Sequence, residues 1–193
     1  MKTNTGEIKR IHKTFTVMQY EKEEQFLTEM AAQGWRFVDT NGWVYTFERC
    51  EPEQVVYRLD YSGLALDARS DYYAMFRDYG WEYLQDFNGF SYFRKPAAGA
   101  SKEDLEIFSD GASHLEMAKK ILTATILPFM LLEAYTTLIC FRRISKLLAA
   151  DKLSGWDWTS LIGCFAIAAL IIFIFSREIY RYFRLKRKYQ ENA

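Results

Sequence analysis

The apolar and polar positions in the first part of the chain follow two different periods in turn. Residues 11–18 alternate apolar and polar side chains, which predicts a half-buried strand. Over residues 21–33 the apolar positions recur at helical spacing, and Gly34 then ends the predicted helix because glycine readily adopts the left-handed conformation. Two aromatic strands follow within residues 35–47, joined at Asn41-Gly42, a dipeptide typical of a type I′ hairpin turn. The pattern therefore predicts a β-α-β-β unit.

The same succession follows once more. Residues 55–61 predict a strand and residues 69–79 a helix, after which the Gly-Trp and Asn-Gly pairs return at Gly80 and Asn88. The Gly-Trp pairs are 46 residues apart and the Asn-Gly pairs 47, which predicts one additional residue in the second hairpin, at Phe87 or beside it. We expect an α+β fold in which a tandem β-α-β-β repeat forms one antiparallel-sheet domain over residues 1–95. Two copies of this length indicate a duplicated fold and not a solenoid.

Two long apolar runs predict a membrane domain over residues 119–193. Residues 121–141 contain one charged side chain, and residues 158–175 contain none. Since about 20 apolar residues span the hydrocarbon core of a bilayer, both runs predict transmembrane helices, and a basic C-terminal tail follows the second. The alternative is a helical hairpin buried in a soluble protein, but the second run is apolar all round, which favours the membrane. Residues 96–118 are rich in small and acidic residues and predict a linker.

Charge is distributed unevenly along the chain. Residues 1–118 carry 13 Lys or Arg and 20 Asp or Glu, whereas residues 119–193 carry 12 and 5. The acidic head argues against a nucleic-acid partner, because nucleic-acid binding requires a basic face. Eight basic residues flank the predicted spans on the side of both termini, and four lie in the loop between them. This bias predicts a multi-pass membrane protein with both termini in the cytoplasm.

The sequence offers no recognisable catalytic or metal-binding motif. Cys50, Cys140 and Cys164 have no CxxC spacing, so neither a disulfide framework nor a zinc site is predicted. His12 and His114 lie far apart and have no partners at metal-ligand spacing. We therefore expect a protein that is not an enzyme and that uses no metal and no cofactor.

Four aromatic side chains are the candidate ligand-binding residues: Trp43, Tyr45, Phe90 and Tyr92. They occupy matching places around the two Asn-Gly pairs, so a groove between the two halves would present them together to a flat or apolar ligand. The alternative is that the four rings fill the core between the sheet and the helices.

Glu133 is the candidate polar residue within the membrane. A carboxylate inside a span is costly, and by default it indicates an ion or proton pathway or a polar contact between helices. It lies about one turn after Pro128, where backbone groups are already freed, so helix packing or self-association is the alternative to transport.

The chain resembles a bacterial family described as domain of unknown function 2812. The resemblance rests on the Lys13-Thr14-Phe15 start, on the two Gly-Trp and Asn-Gly pairs, and on the two apolar helices behind them. It implies a membrane protein of the kind found in Firmicutes, often encoded beside a PadR-type repressor. Over residues 8–96 the predicted topology is also similar to that of the duplicated strand-helix-strand-strand GyrI-like domains, which hold small molecules in a groove between their halves.

Together these features predict a membrane-anchored cytoplasmic module with a sensory or regulatory role. Its expected partners are the lipid bilayer and a protein or small-molecule effector, with self-association through the transmembrane helices. The alternative is an accessory subunit of a transport or export system in which Glu133 lies in the membrane pathway.

Overall fold

The structure, a computed structural model, describes residues 6–61, 69–108, 111–148 and 155–190. The chain divides into two compact units between Met117 and Ala118; the first contains helices and strands, and the described residues of the second are helical. In chain order the elements are β1 (Ile8–His12), a 3₁₀ turn (Val17–Gln19), α1 (Tyr20–Ala32), β2 (Trp35–Thr40), β3 (Val44–Arg49), β4 (Val55–Asp60), α2 (Arg69–Asp78), β5 (Glu82–Phe87), β6 (Phe90–Pro96), a second 3₁₀ turn (Glu103–Leu105), α3 (Gly111–Leu148) and α4 (Gly155–Gln190).

The six strands form two antiparallel three-stranded sheets. The strand order is β1-β3-β2 in the first sheet and β4-β6-β5 in the second. The α+β class is as predicted, but two sheets replace the single sheet that the sequence suggests. The neighbouring edges of β2 and β5 are joined by side-chain hydrogen bonds. Gln85 Oε1 accepts from Thr40 N (3.4 Å), and Gln85 Nε2 donates to Thr40 O (3.5 Å).

β1 lies earlier in the chain than the alternating pattern predicts. It covers Ile8–His12 and not residues 11–18. The antiparallel partner of His12 is Val44, the first residue of β3, so beyond His12 no strand remains for β1 to pair with. Part of the predicted strand instead forms the 3₁₀ turn that leads into α1.

The two Asn-Gly pairs occupy different positions in their hairpins. Asn88 and Gly89 are the two central turn residues of the second hairpin, and both have positive φ, 50° and 84°, as a type I′ turn requires. In the first hairpin Asn41 N donates to Val44 O at 3.3 Å, so Gly42 is the first central residue. Gly42 has φ of 84° and the residue after it does not have positive φ, which is the pattern of a type II′ turn. The type I′ prediction is therefore wrong for the first hairpin.

The shifted turn also removes the predicted insertion. Phe37 pairs with Phe47 in the first sheet and Tyr83 pairs with Phe93 in the second, and a bulge follows directly after each pair. Corresponding strand residues are thus 46 positions apart on both arms of the hairpin. The second hairpin contains no additional residue, because the Asn-Gly pair has moved by one position relative to the turn.

The outer edge of β4 is covered by side chains. Three alternate backbone N–H groups along this edge point away from β6, and each donates to a side chain: Tyr57 N to Thr28 Oγ1 (3.2 Å), Leu59 N to Glu24 Oε1 (2.8 Å) and Tyr61 N to Met117 Sδ (3.4 Å). Two of these acceptors belong to α1, which also packs against β2. α1 therefore contacts both sheets, and β4 offers no free edge to another chain.

The second sheet has its own aromatic cluster on the side of α2. The rings of Phe76 and Phe93 stack at 4.2 Å, and Trp81 is buried beside them. Ile107, which follows the second 3₁₀ turn, packs against the same cluster. This contact holds the chain that leads to α3 against the second sheet.

α3 and α4 are each long and apolar enough to cross a membrane, by length and composition. In the most apolar window of α3 no residue is buried by protein, and in that of α4 only 6% are, so these helices do not have the surface of core helices in a soluble domain. The rings of Phe129 and Phe175 lie 5.1 Å apart and join the two helices. Nine of the less exposed positions of α4 recur at alternating spacings of three and four residues, the pattern of one packing face: Leu161, Cys164, Ala168, Ile171, Phe175, Glu178, Tyr182, Leu185 and Tyr189.

Candidate functional site

A buried carboxylate lies at the centre of the first unit. Glu23 belongs to the first turn of α1, and its side chain is on the stripe of that helix that faces the sheets. The residue is only 7% exposed. A carboxylate at such a position is costly unless it is hydrogen bonded, so its partners determine what the site can do.

The partners of Glu23 are two tyrosine hydroxyls from different sheets. Tyr45 of β3 donates to Glu23 Oε1 at 2.7 Å, and Tyr92 of β6 donates to the same oxygen at 2.6 Å. Both tyrosines are almost fully buried. One carboxylate oxygen on α1 therefore joins the first sheet to the second.

The electrostatic balance at this cluster favours a carboxyl that holds its proton more tightly than usual. Burial raises the pKa of Glu23, and the two hydroxyl bonds oppose this effect only in part. Burial and the adjacent carboxylate raise the pKa values of Tyr45 and Tyr92, so both phenols remain donors. Within the described part of the chain, no Lys or Arg forms an ion pair with Glu23.

Aromatic rings form the walls around the acid. The Tyr45 ring meets Phe26 edge-on at 5.5 Å and Phe15 at 5.9 Å, and the Tyr92 ring stacks on Phe37 at 5.7 Å. The ammonium group of Lys13 lies over the Phe26 ring at 3.8 Å. The wall thus already holds one cation against an aromatic face.

The structure brings together only two of the four aromatic residues predicted from the sequence. Tyr45 and Tyr92 meet at Glu23, as described. Phe90 is buried elsewhere, with its ring 5.2 Å from that of Tyr61, and Trp43 is 70% exposed at the tip of its hairpin. The four residues do not occupy equivalent positions in the two sheets. Corresponding residues of the two hairpins are 46 positions apart, so the counterpart of Tyr45 in the second hairpin is Ser91.

Sequence reasoning missed Glu23 as a site residue. Its signal was present, because Glu23 lies on the same helical stripe as the buried Tyr20, Phe26 and Met30. In the sequence, however, Glu23 is one of several acids near the start of α1, where negative charge favours a helix N-terminus for another reason. An acid on the apolar stripe of an amphipathic helix is the better indication of a buried polar partner.

The next residue of α1, Glu24, belongs to a second acidic cluster. Glu24 Oε2 lies 3.7 Å from Arg58 of β4, and the Arg58 guanidinium also donates to both oxygens of Glu106, at 3.2 and 3.0 Å. Glu106 follows the second 3₁₀ turn, on the chain that leads to α3. Burial raises the pKa of Glu24 to about 8. One arginine therefore links α1, β4 and the segment before α3.

The described head also carries an open groove on the outer face of the first sheet. It encloses about 420 Å³, and Arg10, His12, Asp39 and Thr46 line it with three neighbouring residues. None of the four predicted aromatic residues lines it. The groove is polar and lies on the face of the first sheet opposite to Tyr45, so it is separate from the Glu23 cluster.

The predicted membrane carboxylate lies on α3. Glu133 is half-buried, and its Oε2 atom is buried with no hydrogen-bond partner among the described residues. Its backbone carbonyl accepts from Thr136 Oγ1 at 2.9 Å. No group of three or more His, Cys, Asp or Glu side chains that could hold a metal ion occurs in the described ranges.

A family model described as "Protein of unknown function (DUF2812)" matches residues 19–130. This range begins just before α1 and ends within α3, so it includes the Glu23 cluster, the Arg58 junction and the first half of α3. No curated protein and no solved structure matches the chain. The likeness of the head to GyrI-like domains is therefore not confirmed and stays a prediction.

Proposed function

The chain belongs to the DUF2812 family, and we propose that it is a membrane-anchored regulatory module whose head binds a small organic cation at Glu23. The observation that carries this proposal is a buried carboxylate with two phenol donors, aromatic walls and no basic partner in the described chain. A cation would gain Coulomb attraction to the carboxylate and attraction to the ring faces. In this proposal the site binds without catalysing a reaction.

Lys13 supports the choice of a cation. Its ammonium group rests on Phe26 at 3.8 Å and near the Phe15 ring at 5.1 Å, at the rim of the walls around Glu23. Lys13 and Phe15 belong to the irregular segment between β1 and the 3₁₀ turn. A cationic ligand would displace this segment and occupy the aromatic face that Lys13 now covers.

The proposed site is adjacent to a connection with the anchor. Glu23 faces the two tyrosines, and the neighbouring Glu24 faces Leu59 N and Arg58, which binds Glu106. A ligand that shifts α1 would change the contacts of Glu24 as well. We propose that this junction relays occupancy of the Glu23 site to the segment that precedes α3.

We further propose that α3 and α4 span the membrane as a hairpin, with the head and both termini in the cytoplasm. The support is the length, composition and exposure of both helices, together with the excess of basic residues on the side of the termini. We also propose that the two β-α-β-β halves of the head arose by duplication. Their equal strand order and the equal position of their bulges support this origin.

The binding proposal is tested with phenyltrimethylammonium and full-length protein in lipid nanodiscs, by isothermal titration calorimetry. We expect saturable binding that weakens at least tenfold in Glu23→Gln. Glu29→Gln is the matched control, because it removes the same charge from an exposed position of the same helix. Equal binding by the wild type and Glu23→Gln, or no saturable binding by the wild type, would contradict the proposal.

A second variant distinguishes loss of the charge at the binding site from a folding defect in Glu23→Gln. Tyr45→Phe keeps the carboxylate and the ring but removes one donor, so we expect it to retain cation binding. Tert-butylbenzene is the neutral analogue of phenyltrimethylammonium and has the same shape. It should not compete with the cation for the wild type or for Tyr45→Phe. Competition by this neutral compound would indicate an apolar site and not a cation site.

The second candidate function is an accessory role in transport or export, with Glu133 in the membrane pathway. The observation that favours it is the buried Oε2 atom of Glu133, which has no hydrogen-bond partner among the described residues. Glu133→Gln tests it: transport by the host membrane and assembly of the protein should both change if Glu133 carries protons or ions. An unchanged phenotype and unchanged assembly would remove this candidate.

A further inference from the structure

Two cysteines on different helices of the second unit are in contact. The thiol of Cys140 on α3 lies within interaction range of the thiol of Cys164 on α4, and both cysteines are free in the structure. They are 24 positions apart in the sequence, with the connection between the two helices inside that interval. Neither residue has a role in the proposed cation site.

The contact agrees with the packing of the two helices. Cys140 lies 11 residues after Phe129, and Cys164 lies 11 residues before Phe175, whose ring meets that of Phe129 at 5.1 Å. Both contacts therefore obey one antiparallel register. Eleven residues are about three helical turns, so the phenylalanine and the cysteine of each helix lie on the same face.

The exposure pattern places Cys164 in the packing face independently of this register. Cys164 is one of the less exposed residues that recur every three or four positions along α4, and Gly163 and Phe165 on either side of it are exposed. Cys140 lies eight residues before Leu148, the last residue of α3, and Cys164 lies nine residues after Gly155, the first residue of α4. The thiols thus face each other between the two helices.

We propose that Cys140 and Cys164 form a reversible disulfide that joins α3 to α4. The oxidant would be a small organic disulfide. One cysteine sulfur attacks it, forms a mixed disulfide and releases one small thiol, which carries the proton of the attacking group. The second cysteine sulfur then attacks the mixed disulfide, the S–S bond between the helices closes, and a second small thiol leaves with the second proton. An added dithiol reverses both steps.

The test uses the full chain in lipid nanodiscs with Cys50→Ser, which leaves only the two helix cysteines. After treatment with 4,4′-dithiodipyridine, intact mass spectrometry should show the loss of two hydrogen atoms and no bound pyridine. In denaturing gels, maleimide-polyethylene glycol should label no thiols after oxidation and two thiols after subsequent reduction with dithiothreitol. Non-reducing digestion should yield one peptide pair from α3 and α4.

A matched control moves one thiol to another face of α3. Leu138 is 53% exposed, so in the same background Leu138→Cys combined with Cys140→Ser should give only pyridine adducts on both cysteines. Pyridine adducts on Cys140 and Cys164 of the test protein, or a disulfide between two copies of the chain, would overturn the proposal. Equal cross-linking in the control would overturn it as well, since proximity would then not depend on the packing face.

Discussion

Removal of the tyrosine hydroxyls at Glu23 should destabilise the head by a predictable amount. Tyr45 and Tyr92 donate to one carboxylate oxygen at 2.7 and 2.6 Å, and all three residues are buried. A hydrogen bond to a charged group contributes about 1.5 to 3 kcal/mol, and a buried acceptor that loses its donor gains no water in exchange. We expect Tyr45→Phe and Tyr92→Phe each to lower the local free energy of unfolding by about 2 kcal/mol.

The double variant tests whether the two hydroxyls act on the same group. Because both bonds end on Glu23 Oε1, the two substitutions should not be additive, and their coupling energy should exceed about 0.5 kcal/mol. Hydrogen exchange of the full chain in nanodiscs, read on peptides of β3 and β6, measures each free energy. Tyr79→Phe is the control, since Tyr79 is 71% exposed and should change stability by less than about 0.5 kcal/mol. Effects of that small size for Tyr45→Phe and Tyr92→Phe would refute the reasoning.

The remaining predictions concern the junction and one turn. Burial raises the pKa of Glu24 from 4.5 to about 8, so the folded state holds the carboxyl proton more tightly than the unfolded state does. The free energy of unfolding should therefore fall from pH 5 to pH 8. In urea denaturation, Glu24→Gln should reduce that fall by up to roughly 5 kcal/mol. Arg58→Lys keeps the charge but loses the paired bonds to Glu106, so exchange of residues 103–108 should accelerate about tenfold while that of β3 is unchanged. Gly89→Ala should lower the free energy of unfolding by several kcal/mol in thermal denaturation, because the new Cβ would lie 2.4 Å from the Tyr61 ring. Gly99 also has positive φ but lies in open space, so Gly99→Ala should lower it by only about 1 kcal/mol. Equal losses in the two variants would contradict this explanation.

The local elements of the head were largely predictable because they depend on short stretches of sequence. The glycines that follow the two predicted helices, Gly34 and Gly80, have φ of 81° and 82°, and a strand follows shortly after each. The second hairpin turns at Asn88-Gly89 as expected. In each case the conformational freedom of one or two residues decides the local structure.

The features of the head that were not predicted from the sequence depend on contacts between segments that are distant along the chain. The strand pairing of β1 stops opposite Val44, where β3 begins, and no property of residues 11–18 alone reveals that limit. At the neighbouring edges of the two sheets, the side chain of Gln85 bonds to Thr40, which lies 45 residues away in the sequence. The Glu23 cluster joins residues separated by up to 69 positions. Periodicity identifies the buried face of α1 but does not identify which side chains meet there.

The cysteine pair has the same origin. The spacing of Cys140 and Cys164 along the chain offers no reason to join them, because metal and redox motifs are recognised by short intervals. Their contact depends on the register of two antiparallel helices, which the Phe129–Phe175 contact defines. A register of this kind appears only when the helices are packed.

The central claim is that occupancy of the Glu23 site changes the segment that leads to the anchor. Hydrogen exchange of the full-length protein in nanodiscs, with and without saturating phenyltrimethylammonium, tests it directly. The account predicts that exchange changes both in α1 and in residues 103–108, and that Arg58→Lys abolishes the second change but keeps the first. A ligand-induced change confined to α1 in the wild type, or no change in either segment, would contradict it.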